Sequence, residues 1–348
     1  MGIIVLTVAI FPLLGIGGVE LFVAEAPGPT SDKIHPRIKE TAKRLWLIYF
    51  GLTVTVCFLY FMAGMNFFDS INHAFTTMST GGYSTKNSSM AYFDSPLIEY
   101  IAIAFMFIGG INYTVIYFSL KGKLKRAWSS DELKTYLCFI LTSILVIGLL
   151  LLYKDIYGVE QSFRTAAFQI ISLVTTTGYI TADYTTWGEV FSLIFFILLF
   201  TGACAGSTSG GIKIIRHLVF LKNSISEFKR ILHPRALIRT RIDNYIVAPR
   251  ILTHILVFLL IYLICFVMGS IFMAIMLEGQ DQVMLSSIGS IASCLGNVGP
   301  AIGTVGPVDN YSHFPAAAKW LLSFYMILGR LELFSILIIL TPFFWKVN

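Results

Sequence analysis

The stretch Phe168-Gln-Ile-Ile-Ser-Leu-Val-Thr-Thr-Thr-Gly-Tyr179 occurs in related form at two other places in the chain. Its counterparts are Phe75-Thr-Thr-Met-Ser-Thr-Gly-Gly-Tyr83 and Ile288-Gly-Ser-Ile-Ala-Ser-Cys-Leu-Gly-Asn-Val-Gly-Pro300. Each is a short apolar stretch that ends in a polar residue, one spacer and a glycine, and each lies between two long hydrophobic segments. Membrane proteins build cation filters by turning the carbonyls of an extended backbone toward a pore axis. A tight turn between helices does not explain three copies at matching places, so the repeat predicts a cation filter.

The composition is that of a membrane protein. Hydrophobic residues make up 56% of the chain and charged residues 13%, against roughly 45–50% and about 25% in soluble domains. The apolar residues are clustered in continuous runs of about 20, which is the length of a transmembrane helix. These runs are too long and too continuous for the strands of a membrane barrel. The composition therefore excludes an ordinary soluble protein and predicts a polytopic α-helical one.

The hydropathy pattern predicts seven spans. They lie near residues 2–22, 44–64, 97–120, 133–153, 189–212, 250–277 and 317–341. The apolar stretch before each repeated glycine holds only about 14 residues, too few to cross a bilayer, so we expect re-entrant half-helices there. The predicted fold is an all-α polytopic membrane protein in which span, pore helix, filter and span occur three times after one leading span.

The basic residues predict the orientation. Most of the 25 lysines and arginines fall in the three loops 24–44, 121–134 and 213–250. Because basic loops stay in the cytoplasm, the three filters are expected to face outward. Nucleic-acid binding, the other function of a basic excess, is not expected for loops beside membrane spans.

The spacing of the repeat predicts a missing part. One repeat length before Gly82 lies ahead of Met1, and the leading span at 2–22 has the character of the final helix of an earlier repeat. Since four filter segments close a cation pore more readily than three, we expect an N-terminally truncated form of a four-repeat protein. The alternative is that 2–22 is an additional packing helix, with Gly15, Gly17 and Gly18 allowing close contact.

Four segments carry a family resemblance. They are Met1 to the loop Glu25-Ala-Pro-Gly-Pro29, Thr175-Thr-Thr-Gly-Tyr-Ile-Thr-Ala-Asp183, Gly202-Ala-Cys-Ala-Gly-Ser-Thr-Ser-Gly-Gly-Ile-Lys-Ile-Ile-Arg216 and Gly329-Arg-Leu-Glu-Leu-Phe-Ser335. In this order they resemble the Trk/Ktr/HKT superfamily of potassium transporters, most closely the bacterial TrkH type, over essentially the whole chain. The departure is the absent first repeat.

The pattern and the resemblance together assign the filter. Its residues are Thr80, Gly81 and Gly82, then Thr176, Thr177 and Gly178, then Asn297, Val298 and Gly299. Potassium, the transported ion, is expected at the backbone carbonyls of Thr80, Gly81, Thr176, Thr177, Asn297 and Val298. Glycine allows the backbone conformations that aim carbonyls inward. The polar side chains are expected either to add oxygen ligands or to brace the loop from behind. The resemblance implies that a glycine in every repeat goes with selectivity for potassium over sodium.

The resemblance also implies a gate. The run 202–211 interrupts an apolar span, and irregular backbone at membrane depth must be enclosed by protein. An intramembrane gating loop is implied, with Arg330 projecting into the pore below the filter. The gate residues are Gly202, Ala203, Gly206, Ser207, Gly210, Gly211, Lys213 and Arg330. The alternatives are a kinked, tightly packed helix for the loop, a structural salt bridge for Arg330 and a snorkelling lysine for Lys213.

The expected function is inward potassium conduction by a multi-pass protein of the bacterial inner membrane. The resemblance implies a homodimer and cytoplasmic, nucleotide-binding regulatory subunits of the TrkA kind, whereas this chain has no nucleotide-binding motif of its own. The basic loop 222–248 is expected to contact anionic lipid. An enzyme is not expected, because Ser207, Ser209 and His217 have no acidic partner. The alternatives are an H⁺- or Na⁺-coupled symporter, for which Asp183, Glu189 and Glu332 are the only candidate sites, and a non-conducting docking subunit.

These expectations divide the chain into four parts. Residues 1–43 hold the leading helix and a cytoplasmic loop, and residues 44–132 hold the repeat whose filter lies at 80–83. Residues 133–248 hold the filter at 175–179, the gating loop and the basic loop. Residues 249–348 hold the last filter, at 296–300.

Overall fold

The computed structural model describes residues 38–243 and 245–345. The predicted span at 2–22 lies outside these residues. The described helices fall into three successive units of the same plan, which we call units 1, 2 and 3. Their first helices begin at Ile38, Asp131 and Pro249.

The helices of the three units have the following bounds. Unit 1 contains α1 (Ile38–Met62), α2 (Phe67–Met78), α3 (Pro96–Gly109), α4 (Tyr113–Leu120) and the short α5 (Leu124–Trp128). Unit 2 contains α6 (Asp131–Tyr153), α7 (Val159–Val174), α8 (Glu189–Leu198) and α9 (Ile214–Leu232). Unit 3 contains α10 (Pro249–Met276), α11 (Val283–Gly296), α12 (Ala316–Arg330), α13 (Phe334–Ile339) and α14 (Pro342–Trp345). A hairpin of β1 (Arg241–Ile242) and β2 (Tyr245–Ile246) joins units 2 and 3, with Arg241 opposite Ile246.

The first helix of each unit is long and apolar enough to cross a bilayer. The qualifying segments are Lys43–Met62, Asp131–Tyr153 and Pro249–Met276. Large apolar side chains such as Phe58, Leu141 and Leu260 are exposed on these helices, as expected for surfaces that face lipid. The predicted spans 44–64, 133–153 and 250–277 are confirmed within a few residues.

The second predicted span of each unit is broken, which corrects three of the predictions. The span predicted at 97–120 is two helices, Pro96–Gly109 and Tyr113–Leu120, at 104° to each other. The span predicted at 189–212 is helical only to Leu198, and the span predicted at 317–341 is interrupted between Arg330 and Phe334. Hydropathy does not record these breaks because apolar residues flank each of them. Local features accompany two of the breaks, since Asn112 caps a new helix through Thr114 and Glu332 has a left-handed φ of 56°.

The three pore helices α2, α7 and α11 have 12, 16 and 14 residues. At 1.5 Å per residue, each reaches only about halfway across a bilayer. Asn66 caps the start of α2, because its Oδ1 accepts a hydrogen bond from the amide of Asp69 at 2.7 Å. The helices therefore enter the protein and stop inside it, as predicted for re-entrant segments.

The units pack against one another around the ends of these pore helices. The Tyr179 hydroxyl of unit 2 donates to the carbonyl of His73 in unit 1 at 3.1 Å. The Tyr184 hydroxyl of unit 2 donates to the carbonyl of Ala301 in unit 3 at 2.8 Å. Both tyrosines are completely buried. Unit 2 thus lies between the other two and holds the three predicted filter segments side by side.

Candidate functional site: three filter segments above a buried loop

Each pore helix ends in the same backbone motif. In unit 1 the amide of Thr80 donates to Thr77 O at 3.2 Å and the amide of Gly81 donates to Thr76 O at 2.8 Å. The equivalent amides are those of Thr176 and Thr177 in unit 2 and of Asn297 and Val298 in unit 3, with distances between 2.8 and 3.2 Å. This pair of bonds is the Schellman motif, in which a left-handed residue ends the helix. The three copies in the sequence are therefore three copies in backbone geometry.

The sign of φ alternates in the same way in every copy. Thr80 and Gly82 have φ of 51° and 65°, Thr176 and Gly178 have 54° and 80°, and Asn297 and Gly299 have 56° and 110°. The spacer between them does not have a positive φ. A left-handed β-branched threonine is rare outside functional sites, where the surrounding structure imposes such strain. The filter positions predicted from sequence are thus the positions where the backbone is strained.

Neighbouring filter segments are in direct contact. A Cβ at Gly82 would lie 1.7 Å from the carbonyl oxygen of Thr177, and a Cβ at Gly178 would lie 2.1 Å from the carbonyl oxygen of Val298. Gly82 and Gly178 therefore each lie against the spacer carbonyl of the next unit, where only glycine fits. At Gly299 a Cβ would meet no described atom within 4 Å.

The carbonyls predicted to hold potassium are free acceptors. Among the described residues, no backbone or side-chain donor bonds the carbonyl of Thr80, Gly81, Thr176, Thr177, Asn297 or Val298. Thr177 and Val298 are nevertheless 1% and 3% exposed. Buried carbonyls are nearly always paired, so a run of unpaired ones marks a place where another partner binds. A desolvated cation is the partner that such oxygens suit.

The polar side chains of the filter brace it from behind. Thr80 Oγ1 donates to the carbonyl of Ser79 at 2.7 Å, and Asn297 Nδ2 donates to the carbonyl of Met326 on α12 at 3.1 Å. Thr176 Oγ1 accepts a hydrogen bond at 2.6 Å from the amide of Gly210. Each of the three side chains thus has a hydrogen-bond partner within the protein.

The run 202–213 forms an irregular loop enclosed by the protein. Ala203, Cys204, Thr208, Ser209 and Ile212 are each at most 5% exposed. The loop is closed on itself by bonds from the amide of Gly202 to Ile212 O at 2.7 Å and from Ser207 Oγ to Cys204 O at 2.6 Å. A Cβ at Gly206 would lie 3.2 Å from the amide of Asn112. The small residues therefore let the loop pack where a helix would not fit.

The tip of this loop, residues 208–211, contacts the end of the first pore helix and the second and third filter segments. Thr208 Oγ1 lies 3.1 Å from the carbonyl of Met78, which precedes the first filter. Gly210 bonds Thr176 of the second filter, and a Cβ on it would lie 3.0 Å from the carbonyl of Gly296, which begins the third. A Cβ on Gly211 would lie 3.5 Å from the same carbonyl. The loop tip thus packs where the ends of the three pore helices meet.

Two buried charged side chains hold the loop. The carboxylate of Glu132 on α6 accepts from the amide of Ala205 at 2.6 Å. The ammonium of Lys213 donates to the carbonyl of Ser209 and, at 3.0 Å, to its hydroxyl. Glu132 and Lys213 are 8% and 7% exposed. Lys213 therefore points into the protein, and the snorkelling interpretation of it is wrong.

Arg330 lies at the end of α12, below the filter. Its guanidinium donates to the carbonyl of Thr208 at 3.4 Å, and the side chain is otherwise exposed. Glu332 does not pair with it. Glu332 instead forms a 2.5 Å salt bridge with Arg216, whose guanidinium also stacks on Phe258 at 3.9 Å.

Three of these residues were not singled out by the sequence analysis. They are Thr208, Glu132 and Asn112. Glu132 lies one residue before the predicted span 133–153, in a stretch predicted to be a loop, where a carboxylate is ordinary. Thr208 lies inside the glycine-rich run but gives no pattern of its own, and the role of Asn112 depends on a bend that hydropathy cannot predict.

The outer end of the first filter is anchored to its pore helix by Asp69. Its carboxylate accepts from Thr85 Oγ1 at 2.5 Å and pairs with Lys86 Nζ at 3.3 Å. The hydrogen bond from Thr85, with smaller contributions from Lys86 and Asn66, lowers the pKa of Asp69 in spite of its burial. The ionised carboxylate therefore ties the segment after the filter to the start of α2.

Comparison with known proteins places this geometry in a family. Residues 1–346 match the family described as TrkH, cation transport protein. The chain is 40% identical over 349 aligned positions to the Trk system potassium uptake protein TrkH of Escherichia coli K12, covering 99% of this chain and 71% of that protein. It is 38% identical to TrkH of Halomonas elongata with the same coverage.

A solved structure agrees with these relatives. The crystal structure of the potassium transporter TrkH from Vibrio parahaemolyticus superposes with a TM-score of 0.84 at 36% identity, covering 99% of this chain and 70% of that one. The relatives are potassium uptake proteins, and the fold is that of a polytopic membrane transporter rather than an enzyme. The chain belongs to the TrkH family of cation transport proteins.

Proposed function

We propose that this chain conducts K⁺ inward, down its electrochemical gradient, through the filter formed by residues 80–82, 176–178 and 297–299. The observation that carries the proposal is the set of unpaired, largely buried carbonyls that recurs in all three units. An ion that loses its water shell there gains carbonyl oxygens without competition from protein donors. The potassium-specific names of the relatives agree with this function.

The loop 202–213 is the gate in this proposal. Its tip packs where the ends of the three pore helices meet, and Thr208 presents its carbonyl to the cationic Arg330. A positive charge below the filter opposes the passage of a cation through Coulomb repulsion. Opening then requires the loop tip to leave its bonds to the filter and Arg330 to move from the axis.

Regulation comes from the cytoplasmic side. The basic segment 222–250 begins within α9, and Lys222 forms a 2.6 Å salt bridge with Asp131 at the start of α6. The amide of Asp131 in turn donates to Asp243 of the hairpin at 2.6 Å. In this proposal the chain forms a homodimer, and separate cytoplasmic subunits of the TrkA kind act on the gate through this surface. Its basic residues support a location at the inner face of the bacterial inner membrane, with the filters outside.

Coupled symport finds less support in the geometry than conduction does. Asp183 accepts from the amide and the hydroxyl of Thr185 at 2.9 and 2.6 Å and caps a helical turn. Glu189 is exposed and Glu332 is paired with Arg216. None of these three carboxylates contacts a filter segment among the described residues, so ion translocation is assigned to the carbonyls.

The test is Rb⁺ uptake into K⁺-loaded proteoliposomes that contain the 348-residue chain. We expect uptake that external K⁺ suppresses and Na⁺ does not. Gly64→Ala is assayed in parallel as a control for a substitution outside the filter, and it is expected to take up Rb⁺ like the parent. Gly64 has a left-handed φ of 102° and open space around it. No uptake above empty liposomes, or equal suppression by Na⁺ and K⁺, contradicts the proposal.

A further inference from the structure

One residue bonds the filter and the gate at once. Thr176 belongs to the second filter through its backbone, and its Oγ1 accepts the amide proton of Gly210 in the loop at 2.6 Å. Thr176 is 3% exposed and Gly210 is buried. A hydrogen bond closed off from water in this way has little competition from solvent.

The equivalent residues of the other units do not make such a bond. The hydroxyl of Thr80 bonds Ser79 of its own segment, and the side-chain amide of Asn297 bonds Met326 on a helix. The loop reaches unit 1 through Thr208 instead, whose hydroxyl lies between the carbonyls of Met78 and Gly109. Among the described residues, Thr176 is thus the only filter residue whose side chain bonds the loop.

The loop tip is closely packed on both sides of this bond. A Cβ on Gly210 would meet Gly296 O at 3.0 Å and Asn297 Cβ at 3.1 Å, and a Cβ on Gly202 would meet Gly210 O at 2.5 Å. The tip is therefore held between two filter segments and its own stem. The amide of Gly210 has to give up Thr176 Oγ1 before the tip can descend.

We infer that the Thr176 hydroxyl is a latch that stabilises the closed loop, separate from the Thr176 carbonyl that faces the ion. This inference rests on the proposed function, since it assigns a closing contact to the same pore. It makes Thr176 a positioning residue for the gate through its side chain. Selectivity and gating then depend on different atoms of one residue.

The inference predicts a change in gating with little change in selectivity. Thr176→Val keeps the backbone and the shape of the side chain but removes the acceptor. We expect the open-to-closed ratio in single-channel records to rise about fivefold, which is the ratio that the loss of one ordinary hydrogen bond of about 1 kcal/mol gives. Thr176→Ser keeps the oxygen and is expected to restore short openings.

One comparison variant separates the latch from a general effect of losing a threonine hydroxyl. Thr142→Val changes the same residue type on the exposed face of α6, where the hydroxyl bonds Cys138 O at 2.8 Å, and leaves gating as in the parent. An unchanged or reduced open fraction in Thr176→Val, or equal behaviour of Thr176→Ser and Thr176→Val, overturns the latch.

A second readout does not depend on conduction. Hydrogen exchange of the peptide that covers residues 202–213 reports the Gly210 amide, which loses its acceptor in Thr176→Val and is expected to exchange faster than in the parent and in Thr176→Ser. Equal exchange in the three proteins contradicts the latch whatever the transport assay shows. An absence of K⁺-selective flux in the parent, by contrast, contradicts the proposed function alone.

Discussion

The contact between Gly178 and Val298 allows a quantitative prediction for Gly178→Ser. The new Cβ would be placed 2.1 Å from the carbonyl oxygen of Val298 and 3.0 Å from Cδ of Pro300. Ordinary contacts to a Cβ begin near 3.4 Å. The difference between 3.4 and 2.1 Å, about 1.3 Å, is the distance by which the two groups must separate, because overlap at this range is strongly repulsive.

The displaced group is one of the proposed ligands. A carbonyl that moves by this amount no longer matches the coordination geometry set by its neighbours, so discrimination between ions of different size falls. Serine at a φ of 80° adds backbone strain of about 1–2 kcal/mol. If strain of this size is relieved by local opening of the filter, the potassium-to-sodium permeability ratio falls by about five- to thirtyfold, the changes that about 1 and 2 kcal/mol produce.

The assay is the reversal potential under bi-ionic conditions, K⁺ on one side and Na⁺ on the other, with protein from the same purification as the parent. Gly64→Ala is the control for backbone strain alone, since Gly64 also has a left-handed φ, 102°, but no described atom within 4 Å of its Cβ position. A Gly178→Ser protein that folds and keeps the parent's permeability ratio refutes the reasoning. A loss of selectivity in Gly64→Ala shows that strain, rather than the displaced carbonyl, is responsible.

Three further predictions follow from the charged residues around the filter. Arg330→Ala removes the cation that contacts Thr208 and is expected to raise K⁺ flux severalfold, whereas Arg330→Lys keeps the charge and the low flux; a reduced flux in Arg330→Ala contradicts the barrier role. Glu132→Leu leaves the amide of Ala205 unpaired and is expected to destabilise the protein by about 2 kcal/mol, while Glu132→Gln keeps an acceptor and most of the stability; equal thermal unfolding of the two variants rules this out. Asp69 has a lowered pKa in the folded protein, so its contribution is complete above the ordinary carboxyl pKa of about 4 and is lost as the pH falls below it. The melting temperature of Asp69→Asn should therefore lie below the parent's at pH 7 and approach it in acid, and a pH-independent difference would exclude the carboxylate's charge as the cause.

The repeat unit could be predicted from sequence because its signals are local. The three long first helices follow from uninterrupted apolar runs, which have one stable backbone state in lipid. The pore helices follow from runs too short to cross, each ending in a polar residue, a spacer and a glycine. Gly82, Gly178 and Gly299 have a left-handed backbone. Glycine is the residue type that adopts this conformation without the steric penalty of a Cβ.

The breaks in the second predicted span of each unit could not be predicted in the same way. The segment from Pro96 to Leu120 is apolar throughout, but the 104° bend after Gly109 depends on residues distant in sequence. A Cβ at Gly110 would lie 2.3 Å from the hydroxyl of Tyr136 and 3.0 Å from Ala203. The chain turns there because α6 and the loop occupy the space into which a straight helix would continue.

The sequence by itself determined the membrane class, the threefold recurrence of the unit and the positions of the left-handed glycines after the pore helices, because hydropathy and glycine placement act within a few residues along the chain. Only the tertiary structure decided which atoms face each other. It places the carbonyl of Thr177 against Gly82, the amide of Gly210 on Thr176 and the carboxylate of Glu132 on Ala205. These contacts join parts of different units or distant segments of one unit. Their geometry is set by the packing of whole helices, and no local pattern encodes it.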